Sequence, residues 1–134
     1  MNTYKLTLGS GKDATELNFR LTLGGQQALK KKYKESALST LFSAVDDGEV
    51  LAVVMTEALS YKGNTNPITD GVEVYDLLVD EGYAGAEGFT EIAMNIAAAS
   101  GLISQEQAEQ VIAKAKGAMD KALDEIFRDE PKNP

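Results

Sequence analysis

Histidine, cysteine and tryptophan are missing from this chain of 134 residues, and proline occurs only three times. Without cysteine there is no disulfide and no thiolate metal site. Without histidine the commonest general base and metal ligand are gone as well. Zinc chemistry and Ser-His or Cys-His nucleophilic catalysis are therefore excluded by inventory, leaving carboxylate, lysine, tyrosine and hydroxyl chemistry. No apolar run approaches the roughly 20 residues that span a bilayer. The opening Met1-Asn2-Thr3-Tyr4 lacks the basic and apolar regions of a signal peptide, so a cytoplasmic chain is expected.

The formal net charge of -8 is unevenly distributed. Residues 1–43 hold seven Lys/Arg against three Asp/Glu, whereas residues 44–91 hold eleven acids against Lys62 alone. The overall sign argues against general nucleic-acid binding, because phosphates seek basic surfaces. The asymmetry itself suits solubility, steering of a partner, or head-to-tail association of copies.

Tyr4, Leu6 and Leu8 alternate with polar residues, and so do Leu17, Phe19, Leu21 and Leu23. Period-two alternation on both sides of a Gly/Ser/Asp-rich break predicts a two-stranded antiparallel hairpin over about 4–23. Its apolar face needs helices to cover it. About six helices are predicted after Gly25. The first is Gln26–Lys34, and Ser36 caps a second carrying Leu38, Leu41, Phe42 and Val45. A central apolar helix follows over Val50–Tyr61, then the loop Lys62 to Pro67. Asp70 and Glu73 mark the start of a helix with Val74, Leu77 and Leu78. Gly82, Gly85 and Gly88 read as a connector before a helix with Phe89, Ile92 and Ile96 that stops at Ser100-Gly101. Ser104 to Gln107 form a capping box for a long last helix, residues 103–130, leaving 131–134 as a frayed tail. The expected architecture is one α+β domain over 1–130, mostly α.

Gly9-Ser10-Gly11-Lys12 invites comparison with a nucleotide-binding loop. That loop needs G-x-x-x-x-G-K-[ST] opening a helix. Leu6 stands where the first glycine belongs, Asp13 replaces the hydroxyl, and a strand follows. The stretch therefore reads as a hairpin turn. Asp46-Asp47 and Asp80-Glu81 are adjacent acids at helix ends, where they do not face each other, so neither pair is poised for acid–base catalysis. The expectation is no catalytic residue and no cofactor; a magnesium site would have to be assembled by the fold.

The candidate sites are surfaces. Lys30, Lys31 and Lys32 form the strongest basic cluster, with Tyr33 beside it. It fits a solvated helix face, a protein partner or an acidic patch on another copy better than nucleic acid. In the last two helices Met94, Met119, Leu123 and Phe127 are adaptable or large apolar side chains. Their stripe is core, a seam between copies, or a groove for a partner helix.

The order of segments resembles the small tail assembly chaperones of long-tailed bacteriophages and prophages of Gram-positive bacteria. The resemblance runs over about residues 4–102. It is carried by Tyr4-Lys5-Leu6-Thr7-Leu8-Gly9, Phe19-Arg20-Leu21-Thr22-Leu23, Ala28-Leu29-Lys30-Lys31-Lys32-Tyr33, and the apolar helix Val50 to Leu59. The block Val74 to Gly82 and Ile92-Ala93-Met94-Asn95-Ile96, ending in Ser100-Gly101-Leu102, complete it. The resemblance implies a non-catalytic protein of the infected or lysogenic host cytoplasm, absent from the mature virion. It would bind the phage tape measure protein, keep it soluble and promote tail tube assembly. The tail tube protein, a frameshift-extended form of the chain and further copies of itself are the other implied partners, with no nucleic acid and no membrane. Residues 103–130 depart from the family pattern. Two other readings stand beside this one: an acidic inhibitor mimicking nucleic acid, and a minor tail structural protein.

Overall fold

The computed structural model describes residues 1–129, so the expected tail 131–134 lies outside the described residues. Among the described residues a two-stranded antiparallel hairpin, β1 (Tyr4–Leu8) and β2 (Thr15–Phe19), precedes six α-helices. These are α1 (Leu23–Tyr33), α2 (Ala37–Ser43), α3 (Gly48–Leu59), α4 (Gly71–Asp80), α5 (Gly85–Ala99) and α6 (Gln105–Asp129). The fold is α+β and mostly α, as the sequence patterns predict.

The register pairs Tyr4 with Phe19 and Leu6 with Leu17, which puts Leu6, Leu8, Leu17 and Phe19 on one buried face. That face lies across α3 through β2 and across α5 through β1. Gly9 to Ala14 form the connection, tightened by a 3-10 turn at Gly11–Asp13. The Gly9 amide donates to the Glu81 carboxylate at 2.6 Å. The chain's own anion thus occupies an amide of the stretch that resembles a phosphate loop.

The hairpin is shorter than the alternation suggests. β2 ends at Phe19 because the next amides are claimed by helix ends: Arg20 N–H donates to the Ala58 carbonyl at 2.9 Å, and Leu21 N–H to Ser100 Oγ at 2.8 Å. Leu21 is fully buried, but Thr22 turns the chain by capping α1, whose first residue, Leu23, is exposed. The alternation of Leu21 and Leu23 is therefore coincidental to the strand. A second correction concerns Gly85 and Gly88, which lie within α5.

Local start and stop signals were accurate elsewhere. Ser36 Oγ accepts from Ser39 N–H at 3.1 Å, and Asp70 Oδ1 from Val72 N–H at 3.0 Å. Ser104 and Gln107 exchange reciprocal bonds of 3.0 and 2.9 Å, a complete capping box. Gly101, at φ +80°, ends α5: its N–H donates to the Ala98 carbonyl while Leu102 N–H reaches the Ala97 carbonyl. Asp47, one of the adjacent acids at a helix end, closes the turn after α2 and also starts α3 by accepting from Glu49 and Val50 N–H.

Leu51, Val54, Met55, Ala58 and Leu59 make α3 the central element, packed by α1, α2, α4 and β2. α5 is the second buried helix, and its outer side is covered by the first turns of α6. The loop after α3 is pinned by Asn66. Its Oδ1 accepts from Asn18 N–H at 2.7 Å, and its amide donates to the Asn18 and Leu59 carbonyls at 2.9 Å.

The tightest approach is between α3 and α4. A Cβ on Gly71 would stand 1.8 Å from the Ala52 carbonyl oxygen, so only glycine fits. Thr56 Oγ1 donates to that same carbonyl at 3.1 Å and accepts from Gly71 N–H at 2.8 Å. Gly71→Ala must push two helix backbones apart and is expected to cost about 3 kcal/mol. Gly24→Ala, in an open helical position of α1, is expected to be neutral or slightly stabilising. Thermal denaturation of both variants checks this; an unchanged midpoint for Gly71→Ala would refute the account of the crossing.

Candidate apolar groove

α3 is apolar on more sides than its buried contacts use. Val50 and Val53 face outward and are only half-buried, as is Tyr75 on α4. Val72, on the first turn of α4, is 62% exposed. Together with Tyr33 at the end of α1 they line an open groove of about 740 Å³. Asp47 and Glu49, at the start of α3, and Lys32, near the end of α1, are the charged residues that line it.

The groove's shape follows from the helix crossing. Gly71 lets α4 approach α3, and Gly48 leaves room for the Tyr75 ring, whose atoms would lie 2.8–2.9 Å from a Cβ at residue 48. Tyr75 is held from behind by Phe89, with ring centroids 5.3 Å apart. Lys32 Nζ sits 5.8 Å from the centroid of the Tyr33 ring. Burial, with Asp47 and Glu49 adding to it, raises the Tyr33 phenol pKa. The hydroxyl of Thr56 is satisfied by Ala52 and Gly71, so it offers the groove no free directed donor. Apolar walls with charged rims suit the apolar face of an amphipathic helix better than a polar metabolite.

A second concave feature is an acidic cleft around Tyr83, with Glu81, Glu87 and Glu91. Glu81 is engaged by the Gly9 amide. Tyr83 has a raised phenol pKa, from burial first and then from the charge of Glu91 and a hydrogen bond with it. Among the described residues no group of three or more Asp and Glu is placed to hold a metal ion. No helix among them is long and apolar enough to cross a membrane.

The sequence-selected surface residues divide. Lys30, Lys31 and Lys32 are exposed on the last turn of α1, and Lys32 reaches the groove. Met94 is 0% exposed inside the core, so it is withdrawn as a partner contact. It lies on the α5 face that packs inward, a placement that helical spacing alone did not resolve. On α6, Ala108 is buried and Val111 and Ile112 are half-buried where the helix lies on α5. Met119 is half-buried, whereas every residue from Asp120 to Phe127 is exposed, including Leu123, Ile126 and Phe127. The first half of the stripe is core and the second half is surface. Sequence reasoning missed Val50, Val53, Val72 and Tyr75. The available signal was that α3 is apolar nearly all round, and that Val72 falls outside the buried stripe of α4.

Tyr4 belongs to the same phenol network as Tyr83. Its pKa is well above the ordinary 10.0, from burial first, then the charges of Tyr83 and Glu91. A phenol pKa raised by folding leaves stability intact below the unfolded value and removes it as pH climbs above about 10. Thermal midpoints should therefore be flat up to pH 9 and fall above pH 10. Tyr4→Phe should lessen that fall, and an identical alkaline profile in the variant would count against it. No protein-family model, no curated protein and no solved structure matches the chain.

Proposed function

We propose that this chain is a tail assembly chaperone of a long-tailed bacteriophage or prophage, binding the tape measure protein as an amphipathic helix. The observation that carries the reading is the open apolar groove of Val50, Val53, Val72 and Tyr75, with Lys32, Asp47 and Glu49 as its charged lining. Supporting it is the order of elements over residues 4–102, where the segments that carry the resemblance fold as a hairpin and five helices. A client hundreds of residues long and rich in helix would present repeated apolar stripes to such grooves. The chain's net charge of -8 would keep the loaded complex soluble. Binding of this kind needs no catalytic group. Its place of action is the host cytoplasm, and the finished virion would lack it.

Co-expression with a neighbouring tape measure gene tests the proposal. The soluble fraction of the client should rise several-fold with the natural chain and fall back with Val72→Glu, which changes an exposed residue and leaves the core untouched. Unchanged client solubility would remove the main support. Mass spectrometry of purified particles separates the runner-up: a minor tail structural protein would be retained, whereas a chaperone is absent.

A further inference from the structure

We infer that the outer edge of β1 takes an added strand, an extended peptide segment whose basic side chains, at every second position, reach the acidic cleft beside it. The hairpin register defines the edge. Asn18 N–H and C=O point away from β1, because Asn66 binds both, so Lys5 and Asn18 face each other without ladder bonds. The N–H and C=O of Lys5 therefore point outward from β1, and at the two-residue period so do those of Thr7. Among the described residues no hydrogen bond reaches these four groups, and both residues are exposed. The outer edge of β2 differs: Asn66 covers it at Asn18, and the Ala58 carbonyl takes the Arg20 N–H. On β1 two donors and two acceptors, spread over about 7 Å, are left as a template for a strand.

Charge says what that strand carries. Gly9 is next in the outward row, and its N–H is already held by Glu81, so the acidic cleft begins where β1 ends. At the other end, Tyr4 lies within the field of Tyr83 and Glu91. Glu81, Glu87 and Glu91 thus border the edge on the side of the hairpin that packs on α5. Among the described residues no Lys or Arg lines this cleft, so its charge is left for a partner to neutralise. An added strand alternates as β1 does. Its residues level with Leu6 and Leu8 point toward α5 and the cleft. Those level with Lys5 and Thr7 lie on the exposed face, where Lys5 disfavours a second base. The segment that fits has Lys or Arg at alternate positions and neutral residues between them. A second copy's β1 has the wrong pattern, because its alternate side chains are Tyr4, Leu6 and Leu8. This inference does not depend on what occupies the apolar groove.

The probe is a fluorescent acetyl-Thr-Arg-Thr-Arg-Thr-Arg-Thr-amide. In antiparallel pairing its threonine amides face β1 and its arginine amides face away. The natural chain should bind it, with about ten-fold loss when the threonine amides are N-methylated and little change when the arginine amides are. High salt, Glu87→Gln, or a peptide of the same composition with its arginines grouped should each weaken binding several-fold. Thr7→Pro removes an outward N–H and no ladder bond, a placement that proline tolerates on an edge strand, and should also lower affinity about ten-fold. If that variant has a lowered thermal midpoint, the N-methylated pair decides with the natural chain alone. Equal binding of the two N-methylated peptides would overturn the inference. So would equal binding of the grouped and alternating peptides, or no binding of the alternating peptide by the natural chain.

Discussion

The contact between the backbone of α4 at Gly71 and the Ala52 carbonyl of α3 governs the architecture. Two helix backbones can touch only where a side chain is absent, and Gly71 supplies that absence at the first residue of α4. Thr56 ties the junction by bonding to both partners. With α4 held there, Tyr75 comes to rest over Gly48, and the outer face of α3 is left between α1 and α4. The groove is thus a by-product of close packing on one side of α3. The valines that line it are the surplus of a helix whose buried face is already complete.

The remaining elements hold this pair in place. The hairpin delivers its buried leucines and Phe19 onto α3 and α5, and the main chain after β2 donates to Ala58 and Ser100 at the ends of those helices. Ser100 also donates back to the Ile96 carbonyl at 2.6 Å, so one hydroxyl serves both the helix end and the incoming chain. Asn66 does the same for the loop between α3 and α4. These are directional bonds in buried or half-buried positions, where an unpaired amide is costly. They explain why long connections stay ordered in a small protein without disulfides. α6 contrasts with them, since it begins as a core helix on α5 and ends as exposed surface.

Features governed by neighbours in sequence were legible. Ser36, Asp70, Ser104 with Gln107, and Gly101 each act within four residues, and each was readable from residue type and spacing. The break at Gly9–Lys12 was likewise identifiable as a turn from the wrong residues at positions 6 and 13. Features that depend on distant partners were not legible. Leu21 alternates as a strand residue should, yet Ser100 takes its amide and ends the strand. Met94 has the same spacing as a surface Met would, and only the packing of α5 decides its burial. The groove was hidden for a related reason: Val50 and Val53 look like core within an apolar run, and only the position of α4 determines which face stays open.

The central claim is that the groove, rather than any other apolar surface, receives the client helix. A photoreactive phenylalanine analogue at position 72, in cells co-expressing the tape measure protein, tests this directly. The account predicts a covalent adduct between the two proteins on illumination, with none from the same analogue at the equally exposed Leu23. Adducts from position 23 and none from position 72 would contradict it.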